Sequence, residues 1–529
     1  VRSSRAQTAL AQRLRAVAEV LLPSPDSHPA AGDGDSALQA DSALQAHELL
    51  TDLVVAVHAD PRPDRVWLLF TAIAATFPDS NEVQDLVRGF ELMNTDEATV
   101  WLLNRCLDEA IKSGTPTSEI RIVQAGVIVD VSHSAKSNLH TGIQQVVRSA
   151  VPRWLDAYDI TPSAWTEACG GMRELSPDEH DRALRWRRDL KPVRADDSTQ
   201  LLVVPWRSVV VLAEVPPRDA CDRLAALAEY SGNRLVAIGY DCIPVVTADL
   251  LPSEEPRRFV HYLTAIKHSS RVAAISASAR LEFAGFAYAL PTQGLAGPQV
   301  FECLLPISKL EHTGAAAAAT DSGLPLVLCV GSHEPRKNHL AVLYAAERLW
   351  REGLQFELLL IGGSGWGTRL AERAAYLEAQ GRPISIVRKA PIADLAAAYE
   401  RARFTVFPSL HEGYGLPVAE SMAHGTPVIT ANFGSMGELL RNGGGLAIDT
   451  RDDEAVVAAM RSLLTDDALL ARLRSELTRL PKRSWDDYAR ELWENLVRPE
   501  LAAMSEPPAA RTESTPAAGL TVAGAPGLT

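Results

Sequence analysis

Apolar residues recur every three to four positions from Thr8 to about Leu22 and again from Ser36 to about Ile111, for example at Leu49, Leu50, Leu53, Val54 and Val57. That is the period of helices with one buried face, so residues 1–118 are predicted to form a helical N-terminal domain. Between the two stretches, Pro23 to Gly34 is rich in Pro, Ser, Asp and Gly and reads as a loop. Asp35 to Ala40 repeats unchanged as Asp41 to Ala46, a duplication of sequence to which no function attaches.

After Ser118 the texture changes to short β-branched runs separated by helical stretches: Val127 to Val129, Leu201 to Val204, Val209 to Leu212, Leu235 to Ile238 and Val272 to Ile275. A second series follows the Ala-rich segment Gly314 to Thr320: Leu326 to Val330, Phe356 to Ile361, Ile384 to Val387, Phe404 to Phe407, Val428 to Thr430 and Leu446 to Ile448. Strands alternating with helices predict parallel sheets, here two doubly wound domains in tandem over 119–312 and 313–483. Ser484 caps a last amphipathic helix, with Asp486 and Asp487 in its first turn, inside a segment 484–504. The Pro-, Ala-, Gly- and Thr-rich end, 505–529, reads as a disordered tail.

Composition narrows the function. Lys plus Arg total 52 against 66 for Asp plus Glu, a formal charge of −14, which repels nucleic acid. The six cysteines form no C-x-x-C pair and have no His at ligand spacing, so they read as single thiols in a reducing compartment, and no metal site is expected. No stretch reaches the roughly 18 apolar residues of a membrane span. The expectation is a cytoplasmic protein, with a peripheral place at the inner face of the membrane as a second option.

The chemistry concentrates between Phe404 and Thr430. A strand runs into Pro408 to Leu416, where Gly413 and Gly415 let backbone N–H groups approach a ligand, and a helix opens with Pro417 near its start. A helix N-terminus behind such a loop suits an anionic diphosphate. Glu412 and Glu420, eight residues apart, flank the cradle and can accept hydrogen bonds from sugar hydroxyls. Spacing alone leaves a plainer reading open, in which Glu412 is a loop charge and Glu420 complements the helix dipole.

Several motifs in order carry a resemblance. Over roughly Val127 to Val497 the chain resembles the retaining GT-B enzymes of glycosyltransferase family 4: Glu-x7-Glu in His411-Glu-Gly-Tyr-Gly-Leu-Pro-Val-Ala-Glu420, Val330-Gly-Ser-His-Glu-Pro-Arg-Lys-Asn338, the strand end Ile361-Gly-Gly-Ser-Gly365, and Phe433-Gly-Ser-Met-Gly-Glu438. The resemblance implies that Glu412 contacts the donor sugar, Glu420 the ribose, and the backbone of Gly413, Tyr414, Gly415 and Leu416 the diphosphate. Arg336 and Lys337 match the family's basic pair and would neutralise charge on the leaving diphosphate. Many relatives carry Arg where this chain has Ser332.

In the first domain, Thr141-Gly-Ile-Gln144 and Tyr240-Asp-Cys-Ile-Pro244 resemble a subgroup of that family. Gly142 and Thr141 would open a helix at the cleft, and His133 would lie on the cleft loop. Many family members have His at the place of Tyr240, which makes Asp241 the nearest polar candidate there; a strand-end Asp capping a turn is the other reading. The resemblance implies hexosyl transfer from a nucleotide diphosphate sugar to a glycan or glycolipid acceptor, with retention and without a metal or other cofactor, in cell-surface polysaccharide or glycoconjugate synthesis. A sugar-nucleotide epimerase or hydrolase and a non-catalytic scaffold are the alternatives, and the helical N-terminal domain would serve a homo-oligomer or a partner protein.

Overall fold

The structure, a computed structural model, describes residues 2–23, 37–113, 116–139, 141–186, 201–310, 323–363, 365–366 and 369–505. The Ala-rich segment between the two strand series and, beyond Ser505, the tail expected over 505–529 lie outside these residues. The chain begins with five helices, Arg2–Leu21, Ala37–Ala59, Pro63–Ala74, Ser80–Leu92 and Thr95–Ser113.

Fifteen strands follow: β1 Ile120–Gln124, β2 Val127–Asp130, β3 Thr161–Trp165, β4 Met172–Glu174, β5 Leu202–Trp206, β6 Val209–Leu212, β7 Arg234–Gly239, β8 Arg271–Ala274, β9 Gln299–Glu302, β10 Leu326–Val330, β11 Glu357–Ile361, β12 Ile384–Val387, β13 Phe404–Phe407, β14 Val428–Ala431 and β15 Gly445–Ile448. They form a nine-stranded sheet in the order β1-β5-β4-β3-β2-β6-β7-β8-β9 and a six-stranded sheet in the order β12-β11-β10-β13-β14-β15. The molecule is thus a GT-B fold, two Rossmann-like domains in tandem behind a helical N-terminal region.

The second sheet is parallel throughout. Its order reverses between β10 and β13, and ligands of such sheets bind where the order reverses, beyond the carboxyl ends of the strands. The first sheet departs from the all-parallel expectation at β4, which runs antiparallel to both β3 and β5. β3 contains Pro162 and β4 is three residues long, so neither shows the β-branched run by which the other strands are read.

Burial explains how the pieces hold together. Strand β2 is buried at all four positions, as expected of a sheet covered on both faces. One face of the first sheet shares a single apolar cluster with the N-terminal helices, in which Trp67, Phe70 and Phe77 join Trp165, Val203 and Leu224. Arg13 of the first helix ties the two together, donating to the carbonyls of Ala72 and Ser118, each at 2.6 Å. The opposite face packs on the helix Gly142–Ala157 and on the C-terminal helix Trp485–Leu492.

The helix Trp485–Leu492, continued by Arg498–Ser505, crosses back from the second domain. Ser484 and Asp487 form its capping box, Trp154 Nε1 donates to Ala489 O at 2.8 Å, and Tyr158 stacks on Trp493 at 3.7 Å. Just before that helix, Arg483 Nη2 lies 4.0 Å from Sγ of Cys303, the residue after β9. Among the described residues no helix is long and apolar enough to cross a membrane.

Candidate functional site

The second-domain wall is built by the loops after β10 and β13, which meet where the strand order reverses. Arg336 and Lys337 sit on a single 3-10 turn, Pro335–Lys337. Lys337 Nζ lies 2.6 Å and Arg336 Nη1 3.0 Å from Glu412 Oε1, and Ser409 Oγ donates to the same oxygen at 2.5 Å. Burial alone would push the Glu412 carboxyl up, but the charges of Lys337 and Arg336 and these hydrogen bonds hold it down at about 2. Glu412 is therefore ionised at any physiological pH.

Ser332 takes part in the same cluster. Its hydroxyl donates to Glu334 Oε1 at 2.5 Å, and Glu334 Oε2 lies 3.1 Å from Arg336 Nη2. Instead of supplying a further cation, this chain uses position 332 to orient a second carboxylate against Arg336.

Glycine is required twice in the neighbouring loop. Gly415 precedes the helix Leu416–Ala423 with φ at 95°, a conformation a side chain resists. A Cβ at Gly413 would lie 2.5 Å from the Tyr240 carbonyl oxygen and 2.9 Å from Asp241 Oδ2.

Glu420 stands apart from the charge cluster. It lies inside the second domain, its Oε2 accepting from Tyr399 Oη at 2.9 Å. With no cation beside it among the described residues, burial raises its carboxyl to about 7. The helix thus carries a carboxyl that is half protonated near neutrality, eight residues from one that is fully ionised.

The first-domain wall is made of carboxylates at strand ends. Asp130 closes β2, accepts from Ser132 N at 3.0 Å, Ser132 Oγ at 2.5 Å and Trp165 Nε1 at 3.1 Å, and burial raises it to about 6. Glu214, two residues past β6, accepts from His133 N at 2.8 Å and from Ser134 Oγ at 2.5 Å. His133 Nδ1 is 3.1 Å from Gln144 Nε2, and Gln144 in turn accepts from Thr141 N at 3.1 Å in the capping box of Gly142–Ala157. This chain of contacts fixes Gly142, where a Cβ would lie 2.8 Å from Leu416 Cδ1 of the other domain.

Tyr240 and Asp241 follow β7. The Tyr240 ring is buried and its hydroxyl donates to Ala213 O at 2.6 Å, so this residue turns its carbonyl, rather than its phenol, toward Gly413. Asp241 accepts from Ile243 N at 3.1 Å; burial and the nearby Glu282 charge raise its carboxyl to about 6. Tyr414 likewise points away from the loop's glycines, donating to Leu305 O at 2.7 Å.

Where the walls meet, Ser276 Oγ donates to Gly413 O at 2.6 Å and Ser435 Oγ to Glu412 O at 2.8 Å. Glu438 accepts from Ala277 N at 3.0 Å and from Ser278 N and Oγ at 2.7 Å, across the domain boundary. His411 Nε2 lies 2.7 Å from Glu282 Oε1, pairing the imidazole with a carboxylate across the domain boundary. Burial alone would lower the His411 imidazole, but Glu282 outweighs it and raises it.

The structure therefore brings Arg336, Lys337, Glu412, Gly413 and Asp241 together, with Gly142 against Leu416, while Glu420 sits deeper against Tyr399 and His133 braces Gln144. Sequence reading passed over Glu214, Glu282, Ser276 and Ser409. For Glu214 a signal existed: like Asp130 and Asp241, it is an acidic residue at or just past the end of a strand.

Residues 315–479 match the family described as glycosyl transferases group 1. The chain is similar to the serotype-specific mannosyltransferase WbdA of Escherichia coli, at 24% identity over 327 residues, 57% of this chain and 38% of that one. It is similar to the O-antigen chain mannosyltransferase B of Escherichia coli, at 34% identity over 142 residues, 27% of this chain and 37% of that one. It is also similar to the D-inositol 3-phosphate glycosyltransferase of Rhodococcus opacus strain B4, at 34% identity over 192 residues, 34% of this chain and 43% of that one. The chain spans less than half the length of these curated relatives.

Proposed function

We propose that this protein is a glycosyltransferase that moves a hexosyl group from a nucleotide diphosphate sugar to an acceptor hydroxyl with retention of anomeric configuration, in the synthesis of a surface polysaccharide or glycoconjugate. One observation carries the reading: Arg336, Lys337 and an ionised Glu412 converge at the strand-order reversal of a domain matching the glycosyl transferases group 1 family, beside a glycine loop that opens a helix.

Each part has a task in this reaction. The diphosphate lies against Arg336, Lys337 and the N–H groups of Gly413 to Leu416, which stabilise negative charge as the bond to the sugar breaks. Glu412 accepts hydrogen bonds from the donor sugar's hydroxyls and keeps the two cations oriented. Glu420 meets the ribose. Asp241, on the opposite wall, holds the acceptor hydroxyl or a hydroxyl of the transferred sugar, and Gly142 lets the first-domain helix start approach Leu416 at the end of the diphosphate loop. A leaving-group phosphate oxygen takes the acceptor proton, so no side-chain nucleophile is invoked. The two cations supply the charge stabilisation that a divalent metal gives other transferases.

The names of two relatives make a nucleotide-diphospho-mannose the first donor to try. The test is thermal stabilisation of the purified protein by GDP, UDP, ADP and dTDP and their sugars, without added metal, followed by product analysis with an oligosaccharide acceptor. A ligand at about a hundred times its dissociation constant adds about 2.7 kcal/mol. Stabilisation by one nucleotide family and a new glycoside support the proposal. An altered or hydrolysed sugar nucleotide without glycoside replaces it with an epimerase or hydrolase, and no stabilisation by any of them replaces it with a scaffold.

A further inference from the structure

Beside the cleft, the second domain carries a groove that meets the charge cluster only at Glu334, at its inner end. Its main part, about 650 Å³, lies between the helices His339–Arg351 and Arg369–Ala379, and a further 410 Å³ continues it to the loop bearing Arg336 and Lys337. Leu340 and Arg369 line both parts. Helical spacing makes the groove: Leu340, Tyr344, Arg348 and Arg351 fall on one face of the first helix, and Arg369, Arg373 and Tyr376 on one face of the second.

Three features set this face apart from an ordinary solvated one. Three large aromatic rings are open to solvent, with Tyr344 42%, Trp366 46% and Tyr376 50% exposed. Arg348 and Arg373 lie over Tyr344 and Tyr376 at 5.7 and 4.9 Å, which holds guanidinium and ring as preformed pairs. Four arginines face three glutamates along the two parts of the groove, on a chain whose net charge is −14. Arg369 and Arg373 have no ion-pair partner among the described residues.

The inner end of the groove adds a polar demand. His333 lines it with 6% of its surface exposed, and its Nε2 has no hydrogen-bond partner among the described residues. A buried polar atom of this kind costs stability until a partner reaches it.

We infer that this groove binds an acidic oligosaccharide, with sugar rings lying on Trp366, Tyr344 and Tyr376 and carboxylate or phosphate groups paired to Arg369 and Arg373. Flat, partly exposed rings bury the apolar faces of pyranoses, and a guanidinium fork meets an acidic group bidentately. An apolar protein segment would leave Arg369 and Arg373 without partners for their charge. The nature of the ligand rests on the glycosyl-transfer reading; the existence of the site does not. A glycan held here would keep a growing polymer near the catalytic loop between additions.

Isothermal titration calorimetry with hexagalacturonate as the probe and maltohexaose as the neutral control tests this. The expected result is saturable binding of the acidic hexamer, weakened about tenfold or more by Trp366→Ala and by the pair Arg369→Ala with Arg373→Ala. Stabilisation by the nucleotide that the native protein binds should stay unchanged in both variants, which separates this site from the cleft and reports folding. No saturable binding, binding indifferent to both changes, or equal affinity for maltohexaose overturns the proposal. So does concentration-dependent dimerisation in sedimentation that the same changes abolish, since the groove would then be covered by a second copy.

Discussion

The two walls of the cleft differ in charge more than in shape. On the first domain, Asp130, Glu214 and Asp241 stand at or just past the ends of three adjacent strands, with Glu282 beside them. On the second, Arg336 and Lys337 are matched against Glu334 and Glu412. A diphosphate donor of the proposed kind would face carboxylates on one wall and paired cations on the other. The asymmetry teaches that the same strand-end geometry is set for different ligands by the residues placed on it, since a fold alone specifies no chemistry.

Four experiments test that contrast, in order of expected effect. Lys337→Ala should lower turnover by about a hundredfold or more, because charge on the leaving diphosphate loses a prepositioned cation. Nucleotide release with donor and acceptor present checks it, and turnover like that of the native protein removes Lys337 from the site. Asp241 comes next: with its carboxyl near 6, kcat/KM should fall on the acid side of about pH 6, and Asp241→Asn should abolish that limb while costing about tenfold in rate.

Glu420 gives a stability signature of opposite sign to that of Glu412. Its carboxyl is raised from the usual 4.5 to about 7, so the folded state holds the proton more tightly, and stability present below 4.5 is lost as pH rises through 7. Glu412, lowered from 4.5 to about 2, contributes stability above 4.5 that is lost as pH falls through 2. Asp130 and Asp241, raised to about 6, add to the same decline, so urea unfolding between pH 5 and 8 should show a fall in stability of which Glu420→Gln removes a part on the order of 2 kcal/mol; an unchanged slope in that variant assigns the whole decline elsewhere. The smallest effect is expected from Glu334→Gln, which frees Arg336 from one competitor and should tighten nucleotide diphosphate binding about two- to fivefold, read by calorimetry at low salt. Weaker binding would mean that Glu334 is needed to aim the guanidinium.

How much of this was readable before the fold was known follows from what each feature depends on. The second sheet consists of short apolar runs in regular alternation with helices, so its strands and the Glu412 loop lie open to pattern reading. β3 and β4 do not, because Pro162 and a three-residue length carry no period. The pairing of Lys337 with Glu412 joins residues 75 positions apart, and only the strand order places them together. The opposite shifts of Glu412 and Glu420 arise from neighbours, two cations in one case and Tyr399 in the other, and spacing contains none of that. The helical stretch before β1 was legible as helix, yet its shared core with the first sheet was not, since apolar periodicity says that a face is buried and never against what.

The contact between Cys303 and Arg483 has a mechanical meaning. One tether would let the second domain swing and twist in any direction, as on a ball joint. Two adjacent tethers act as the pins of a door: they resist twisting and leave one easy rotation, about which Gly413 would meet Tyr240 and Asp241 in a single register.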